Sequence, residues 1–317
     1  AAADAAGLGP IEIKMMTDGG YDKEFSSCVT AASAIIGPII PPSNIMIIYA
    51  GCVGTVSVGK MFLAGAIPGI LLGIAYMIFC YWISVKRKYP CRKTRATWKE
   101  IGHATWETLP ALLLPIIIMG TITLGICTAT ESSAIAVIYS TIVAACKKNL
   151  SIKSFCRACI RSAKAAANVL FIIAISSAMA WAVTTLGVAQ ALTNFCVAYI
   201  NNKIVFLLFV NVLLLLIGML LDASPALLLM VPILWPVAKT LGIDAIHFGV
   251  MVCFNLMVGT LTPPVGMMLF IVSNVGKVKL SVMYKGILPF VAVAVVVLLL
   301  ITYVPSLTTW LPGVLMP

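Results

Sequence analysis

Two short motifs in this sequence place a glycine four residues before a pair of prolines. The first reads Gly37-Pro-Ile-Ile-Pro-Pro-Ser43, and the second reads Gly259-Thr-Leu-Thr-Pro-Pro-Val-Gly266. A proline pair inside an apolar segment removes two amide donors and frees carbonyls one turn earlier. Freed carbonyls are hard ligands that suit Na⁺, and the amides that begin the next helix favour an anion. The motifs therefore predict a site for a cation and an anion.

A third polar stretch, Leu221-Asp222-Ala-Ser-Pro225, is expected to join these motifs. The expected Na⁺ ligands are oxygens of Ser33, Gly37, Ile40, Ser43, Ser224, Gly259, Thr260 and Thr262. The expected substrate contacts are Ser43, Asn44, Asp222, Ser224 and Pro264. Hydroxyls of this kind often bond the backbone of their own helix instead. Gly37 and Gly259 permit unusual backbone angles just before the prolines.

Asp222 is the most informative single residue because it follows 18 nearly uninterrupted apolar residues, 204–221. A carboxylate at membrane depth is costly and is usually functional. Asp-Ala-Ser-Pro is also a good helix start. Two roles therefore stay open for Asp222, namely ion or substrate handling and helix capping. For Glu131, at a turn after Thr128, we expect a capping or an interfacial role and not catalysis.

The composition predicts a membrane protein. Of 317 residues, 62% are hydrophobic and only 10% are charged, whereas a soluble domain is nearer one quarter charged. Several stretches reach the roughly 20 apolar residues that cross a bilayer. The clearest are 61–84, 111–127, 165–183, 204–221 and 280–304. We predict an all-α integral membrane protein with about eight or nine embedded helical segments in the lipid bilayer.

The basic residues predict the orientation. Of the 21 Lys and Arg, seven lie within 86–99 and six within 147–164. Such clusters beside apolar spans are typical of cytoplasmic loops, so the net charge of +11 does not indicate a nucleic-acid partner. The first broken helix, 25–54, is then predicted to run outward. The second, 245–275, is predicted to run inward.

A constant offset of 222 residues relates the two halves, carrying Asp22 to Asp244 and Pro41-Pro42 to Pro263-Pro264. With opposite directions, this predicts inverted repeats, each with a re-entrant hairpin before its broken helix. The returning arm of the first hairpin is expected at 5–17. Its entering arm would precede residue 1, so we expect a chain that lacks an N-terminal part. An elevator domain would comprise 1–57 and 204–277, and a scaffold would comprise 58–203 and 278–317.

Further motifs lie in order along the chain: Ser57-Val-Gly-Lys60, Thr128-Ala-Thr-Glu-Ser132 and His247-Phe-Gly249. Together with the proline motifs and Leu221–Pro225, they resemble the large membrane subunit of tripartite ATP-independent periplasmic (TRAP) transporters. The resemblance implies elevator-type, Na⁺-coupled uptake of an organic acid across a bacterial inner membrane. The implied substrates are sialic acid, a C4-dicarboxylate or another sugar acid. The implied partners are a small TRAP membrane subunit and a periplasmic substrate-binding protein.

By the same resemblance, one Na⁺ site lies around Gly37–Ser43 and another around Gly259–Thr262. The alternatives are a membrane-embedded enzyme, a proton-coupled carrier and a channel. An enzyme would need two groups that meet, such as Asp222 and Glu131, and inverted symmetry gives no reason for that. Hairpins that close from opposite sides favour a carrier over a channel. We therefore expect a transporter and not an enzyme.

Overall fold

The computed structural model describes residues 1–90, 97–147, 150–187 and 202–316. Every regular element in these ranges is an α-helix, which confirms the all-α part of the predicted fold class. The helices are α1 (Ala2–Gly7), α2 (Gly9–Asp18), α3 (Lys23–Ser33), α4 (Asn44–Val53), α5 (Val58–Lys86), α6 (Trp98–Thr123), α7 (Ala129–Cys146), α8 (Ile152–Thr185), α9 (Lys203–Leu220), α10 (Ala223–Thr240), α11 (Ala245–Leu261), α12 (Met267–Gly276), α13 (Leu280–Tyr303) and α14 (Ser306–Leu315).

Five helices among the described residues are apolar and long enough to cross a membrane, or six if the bent α6 counts as one span. The predicted spans 61–84, 204–221 and 280–304 correspond to α5, α9 and α13. Three shorter apolar helices, α4, α11 and α12, flank the two proline motifs. The short helices arise because proline cannot donate the hydrogen bond that would continue each helix.

Both predicted broken helices are interrupted at their proline pairs. The first consists of α3, a non-helical stretch at 34–43 and α4, and the second consists of α11, a stretch at 262–266 and α12. We call these two stretches the first and second break. A cis peptide bond lies between the two prolines in each break.

Other features also recur at the 222-residue offset. Gly20 and Gly242 both have positive φ angles, +87° and +67°. Asp22 and Asp244 are the N-cap residues of α3 and α11. Helix α10 packs against α4, while α1 and α2 pack against α12. Each returning arm thus contacts the second half of the other broken helix. The opposite orientation of the two repeats in the membrane stays a prediction.

The predicted returning arm at 5–17 is not one helix. It divides into α1 and α2 at Leu8. Pro10 lies in the first turn of α2, where its missing amide is tolerated, while its ring disfavours a continuous helix through Leu8. Pro232, at the equivalent place, lies inside the uninterrupted α10.

The chain forms two compact units, Ala1–Pro90 with Ala178–Pro317 and Cys91–Ser177. In the first unit, which we call the hairpin unit, α13 packs against α3, α5 and α11, and α5 also packs against α14. In the second unit, α6 packs against α7. Helices α5, α13 and α14 therefore share a unit with the segments assigned above to the elevator domain. The division into moving and fixed parts stays a prediction.

Candidate ion and substrate site

The first break leaves backbone carbonyls free, as the proline pair predicts. The amides of Ile39 and Ile40 both donate to the Ile36 carbonyl at 2.9 Å. Pro41 has no amide to donate to the Gly37 carbonyl. Among the described residues, nothing donates to the carbonyls of Gly37, Ile39 or Ile40. Three hard oxygen atoms are therefore available within four residues.

Ser43 closes the first break and begins α4. Its hydroxyl donates to the Pro38 carbonyl and accepts a hydrogen bond from the Met46 amide at 3.3 Å. The side chain is fully buried. The amides of Asn44 and Ile45 donate to no acceptor in the described chain. The start of α4 thus offers two free amides, which favour an anion.

The second break repeats this chemistry. Pro263 and Pro264 remove the amides that would reach the carbonyls of Gly259 and Thr260. The Thr262 amide donates to the Gly259 carbonyl at 2.9 Å. Apart from bonds within the regular helix, no donor among the described residues reaches the Thr260 carbonyl. The second break therefore also presents a free carbonyl beside a helix start.

The second break lies directly beside the end of α9. The Gly266 amide donates to the Met219 carbonyl at 3.1 Å, three residues before Asp222. On the other side, the Tyr284 hydroxyl donates to the Pro264 carbonyl. The amides of Met267 and Met268, at the start of α12, donate to no described acceptor.

Asp222 is the N-cap of α10, which confirms one of its two predicted roles. A carboxylate oxygen accepts from the Ala223 amide at 2.9 Å, and the backbone carbonyl accepts from Ala226 at 3.1 Å. Asp222 is exposed at the hairpin tip and Ser224 is half-buried. The part of Asp222 in ion or substrate handling stays a prediction.

Glu131 forms the predicted cap, a capping box with Thr128 at the start of α7.

The other predicted hydroxyls bond their own helices. Ser33 donates to the Thr30 carbonyl at 3.1 Å. Thr260 donates to Met257 at 2.7 Å, and Thr262 donates to Val258 at 2.8 Å. These bonds use the hydroxyl protons and leave oxygen lone pairs, which are what a cation needs.

Gly37 and Gly259 do not use the backbone freedom that glycine permits, because neither has a positive φ. Gly259 instead provides space for a neighbouring helix. A Cβ added to it would lie 2.7 Å from the Cα of Gly218 on α9. The glycine therefore allows α11 to cross α9 closely, next to the second break.

Sequence reasoning missed two glycines on α5 that support the first break. A Cβ on Gly65 would lie 2.8 Å from the Ile39 carbonyl oxygen, and one on Gly69 would lie 2.4 Å from a side-chain carbon of Ile40. The signal was present as Gly-x-x-x-Gly in an apolar helix, a pattern of close helix packing in membranes.

A buried polar network was also missed. The Asn255 amide nitrogen on α11 donates to the Asn211 side-chain oxygen at 2.7 Å, and Asn211 donates to Thr302 on α13 at 3.0 Å. All three side chains are at most 2% exposed. The network joins α9 and α11, the helices that lead to Asp222 and to the second break, with α13. It stiffens the helices that position that break.

The two halves of the predicted substrate site are held by different contacts. No hydrogen bond within the described ranges joins Ser43 or Asn44 to Asp222 or Ser224. These two pairs of residues lie at the starts of α4 and α10, which pack against each other. The Tyr49 hydroxyl on α4 also donates to the Ala245 carbonyl at 2.8 Å, tying the first broken helix to the second.

An all-helical membrane protein with two interrupted helices, each offering free carbonyls and free amides, belongs to the class of membrane transport proteins. Comparison with known families agrees. The family "Tripartite ATP-independent periplasmic transporter, DctM component" matches residues 1–307. The chain belongs to this family, which consists of transporter permease subunits of the bacterial inner membrane and not of enzymes.

Individual relatives carry related names. The sialic acid TRAP transporter permease protein SiaT of Haemophilus influenzae is 40% identical over 318 residues, covering 100% of this chain and 51% of its own. The sialic acid TRAP transporter large permease protein SiaM of Vibrio cholerae is 40% identical over 98% of this chain and 73% of its own. The C4-dicarboxylate TRAP transporter large permease protein DctM of Pseudomonas aeruginosa is 34% identical over 98% of this chain and 73% of its own. The chain thus spans about half the length of the first relative.

Proposed function

We propose that the chain is the large membrane subunit of a Na⁺-coupled carrier that imports an organic acid. The observation that carries the proposal is the repeated pairing of free carbonyls with free helix-start amides at two breaks. Free carbonyls suit Na⁺, and helix N-termini suit a carboxylate. One ion site would use Gly37, Ile40, Ser33 and Ser43, and the other would use Gly259, Thr260, Thr262 and Ser224.

The substrate would lie between the breaks and the tip of the second hairpin. Its carboxylate would meet the amides of Asn44 and Ser224, with Ser43, Asp222 and Pro264 beside it. Bound Na⁺ would order the breaks first and create a positive site for the acid. This order of events would couple uptake to the Na⁺ gradient.

The names of the relatives supply the substrate class. Two relatives at 40% identity are named for sialic acid and one at 34% for C4-dicarboxylates. Both are organic acids, so we propose sialic acid first and a C4-dicarboxylate or another sugar acid second. We further propose the tripartite partners that the family name implies, a small membrane subunit and a periplasmic substrate-binding protein.

Uptake by proteoliposomes tests this proposal. They would hold the complete membrane complex, with the binding protein outside, and would be given radiolabelled sialic acid or succinate. We expect accumulation with an inward Na⁺ gradient and none when K⁺ replaces Na⁺ at the same membrane potential. Accumulation driven by a proton gradient without Na⁺ would contradict Na⁺ coupling and favour the proton-coupled alternative.

A further inference from the structure

A cavity of about 410 Å³ opens between α3, α5 and α13, away from both breaks. Its polar wall contains Glu24, Arg87, Ser281 and Lys285, and its apolar wall includes Phe25 and Phe290. This volume lies within the roughly 300–1,000 Å³ range of small-molecule sites. Arg87 follows the C-terminal end of α5 and Lys285 lies in the second turn of α13, so the C-terminal end of α5 and the N-terminal end of α13 meet at this cavity. By the predicted orientation, both of these ends are cytoplasmic.

Two opposite charges in this cavity have no partner in the described residues. Neither Glu24 nor Lys285 forms an ion pair or a hydrogen bond there, although both line the same space. Arg87 pairs with Asp22 at 3.3 Å. A hydrogen bond with Tyr89 raises the pKa of the Arg87 guanidinium, which keeps this group charged.

The charges that line the cavity leave one of each sign unpaired. Arg87 is paired with Asp22, so Lys285 supplies an unpaired positive charge and Glu24 an unpaired negative one. The nearby Lys86 does not line the cavity, and its ammonium lies 5.0 Å from the centre of the Trp82 ring, on the neighbouring apolar surface of α5. A pocket with a surplus of Lys and Arg favours an anionic headgroup. A balanced pocket with separated charges instead favours a ligand that carries both signs.

An apolar groove continues from the cavity along the same two helices. It is lined by Ala75, Ile78, Phe79 and Trp82 of α5 and by Val293 of α13. The rings of Phe79, in the groove, and Phe290, in the cavity, contact each other edge to face at a centroid distance of 4.9 Å. Along both helices the groove lies farther from the charged end than the cavity does. A ligand that fills both would have a charged head and a long apolar tail.

We propose that this cavity and groove bind a membrane glycerophospholipid with a phosphoethanolamine headgroup. The phosphate lies between Arg87 and Lys285, and the primary ammonium lies at the Glu24 carboxylate. One acyl chain follows the groove past Phe79 and Val293. A phosphoethanolamine lipid carries an ammonium, a phosphate and an alkyl chain in this order, and the site does not depend on the proposed transport reaction.

Native mass spectrometry of the complete membrane complex in detergent tests this assignment. Equal amounts of phosphatidylethanolamine, phosphatidylglycerol and phosphatidylcholine with the same acyl chains would be added. We expect phosphatidylethanolamine to be retained most, because phosphatidylglycerol has no ammonium and a choline ammonium cannot donate to Glu24. Lys285→Gln should weaken its binding about fivefold, since a basic residue near the membrane surface contributes about 1 kcal/mol.

Two further variants make the test specific. Glu24→Gln should remove the preference for phosphatidylethanolamine over phosphatidylglycerol. Lys239→Gln removes an exposed charge in the last turn of α10 and should leave binding unchanged. A thermal unfolding midpoint equal to that of the unmodified protein would show that each variant is folded. The proposal is overturned if no lipid is retained, if phosphatidylglycerol binds as well as phosphatidylethanolamine, or if Glu24→Gln leaves the preference intact.

Discussion

Gly259 has no room for a side chain, since an added Cβ would lie 2.7 Å from Gly218 Cα and 2.9 Å from its carbonyl carbon. Backbone atoms cannot move aside as a flexible side chain can. We therefore predict that Gly259→Ala forces α11 from α9 and costs about 1–3 kcal/mol of unfolding free energy, as overpacking does. Thermal unfolding followed by circular dichroism would measure this.

Gly73→Ala is the matched control for that substitution. Gly73 also lies in an apolar helix, and a Cβ there would meet nothing within 4 Å. This change should leave stability the same or raise it by up to about 1 kcal/mol, because alanine favours helix more than glycine does. If both variants unfold at the same temperature, the close approach of α9 and α11 is not as described.

The two roles of Asp222 can be separated by one conservative change. Asparagine caps helices about as well as aspartate, so Asp222→Asn should keep the unfolding temperature. We predict that it nevertheless lowers Na⁺-dependent uptake and raises the Na⁺ concentration needed for half-maximal rate, because the tip loses its negative charge. Asp222→Ala should lose about 1 kcal/mol of stability as well. Full uptake by Asp222→Asn would assign the residue to capping alone.

Helices α9, α11 and α13 are joined by the Asn255–Asn211–Thr302 network. Asn211→Ala removes one of the two acceptors of the buried Asn255 amide, which keeps its bond to the backbone carbonyl of residue 211. The donor that loses its acceptor is unsatisfied, which costs about 1–3 kcal/mol. We predict a correspondingly lower unfolding temperature. Asn274→Ala, at an exposed position on α12, should change it by less than about 0.5 kcal/mol. Equal effects of the two changes would show that the network contributes nothing.

Helix α4 depends on Ser43, which both caps it and holds the Pro38 carbonyl. Ser43→Ala should cost about 1 kcal/mol, and it should also raise the Na⁺ requirement for uptake, because a proposed ligand is lost. Ser133→Ala removes a hydroxyl that bonds only its own helix at Ala129 and should do neither. An unchanged Na⁺ requirement in Ser43→Ala would remove this hydroxyl from the proposed ion site.

Local effects at the element scale were predictable from sequence, and tertiary ones were not. A proline pair acts on its own helix, so both breaks and their free carbonyls follow from residues such as Pro41 and Pro263. The Asp222 cap is local in the same way. The roles of Gly259 and Gly65 depend on the facing residue, Gly218 or Ile39, which sequence spacing does not reveal. The division at Leu8 was missed because Pro10 and Pro232 occupy equivalent positions with different outcomes.

At the scale of the whole molecule, buried hydrogen bonds bear on which helices would move together in the predicted elevator. The bonds from Asn211 to Thr302 and from His247 to Thr308 join the hairpin segments to α13 and α14 in fully buried surroundings. Breaking them in each cycle would leave unpaired polar groups. We therefore propose that α13 and α14 move with α9 and α11, whereas the boundary proposed from sequence separates them at 277/278.

Distances between pairs of spin labels, measured by double electron–electron resonance, can distinguish these two boundaries. Labels at the exposed Leu208 on α9 and Val296 on α13 should give one distance, unchanged by Na⁺ and substrate. A distance that shifts between the two conditions would support the boundary at 277/278 instead. A second pair, joining α9 to the exposed Val137 on α7, would report whether the conditions used produce any motion at all.

We propose that Na⁺ and an organic acid cross the membrane together through the sites at the two breaks. The most direct test measures ²²Na⁺ and ¹⁴C-labelled sialic acid influx in the same proteoliposomes, with the binding protein present. We predict substrate-dependent ²²Na⁺ entry in a fixed ratio to the acid, with Thr262→Val lowering both fluxes together. Entry of the acid without any accompanying ²²Na⁺ would contradict the account.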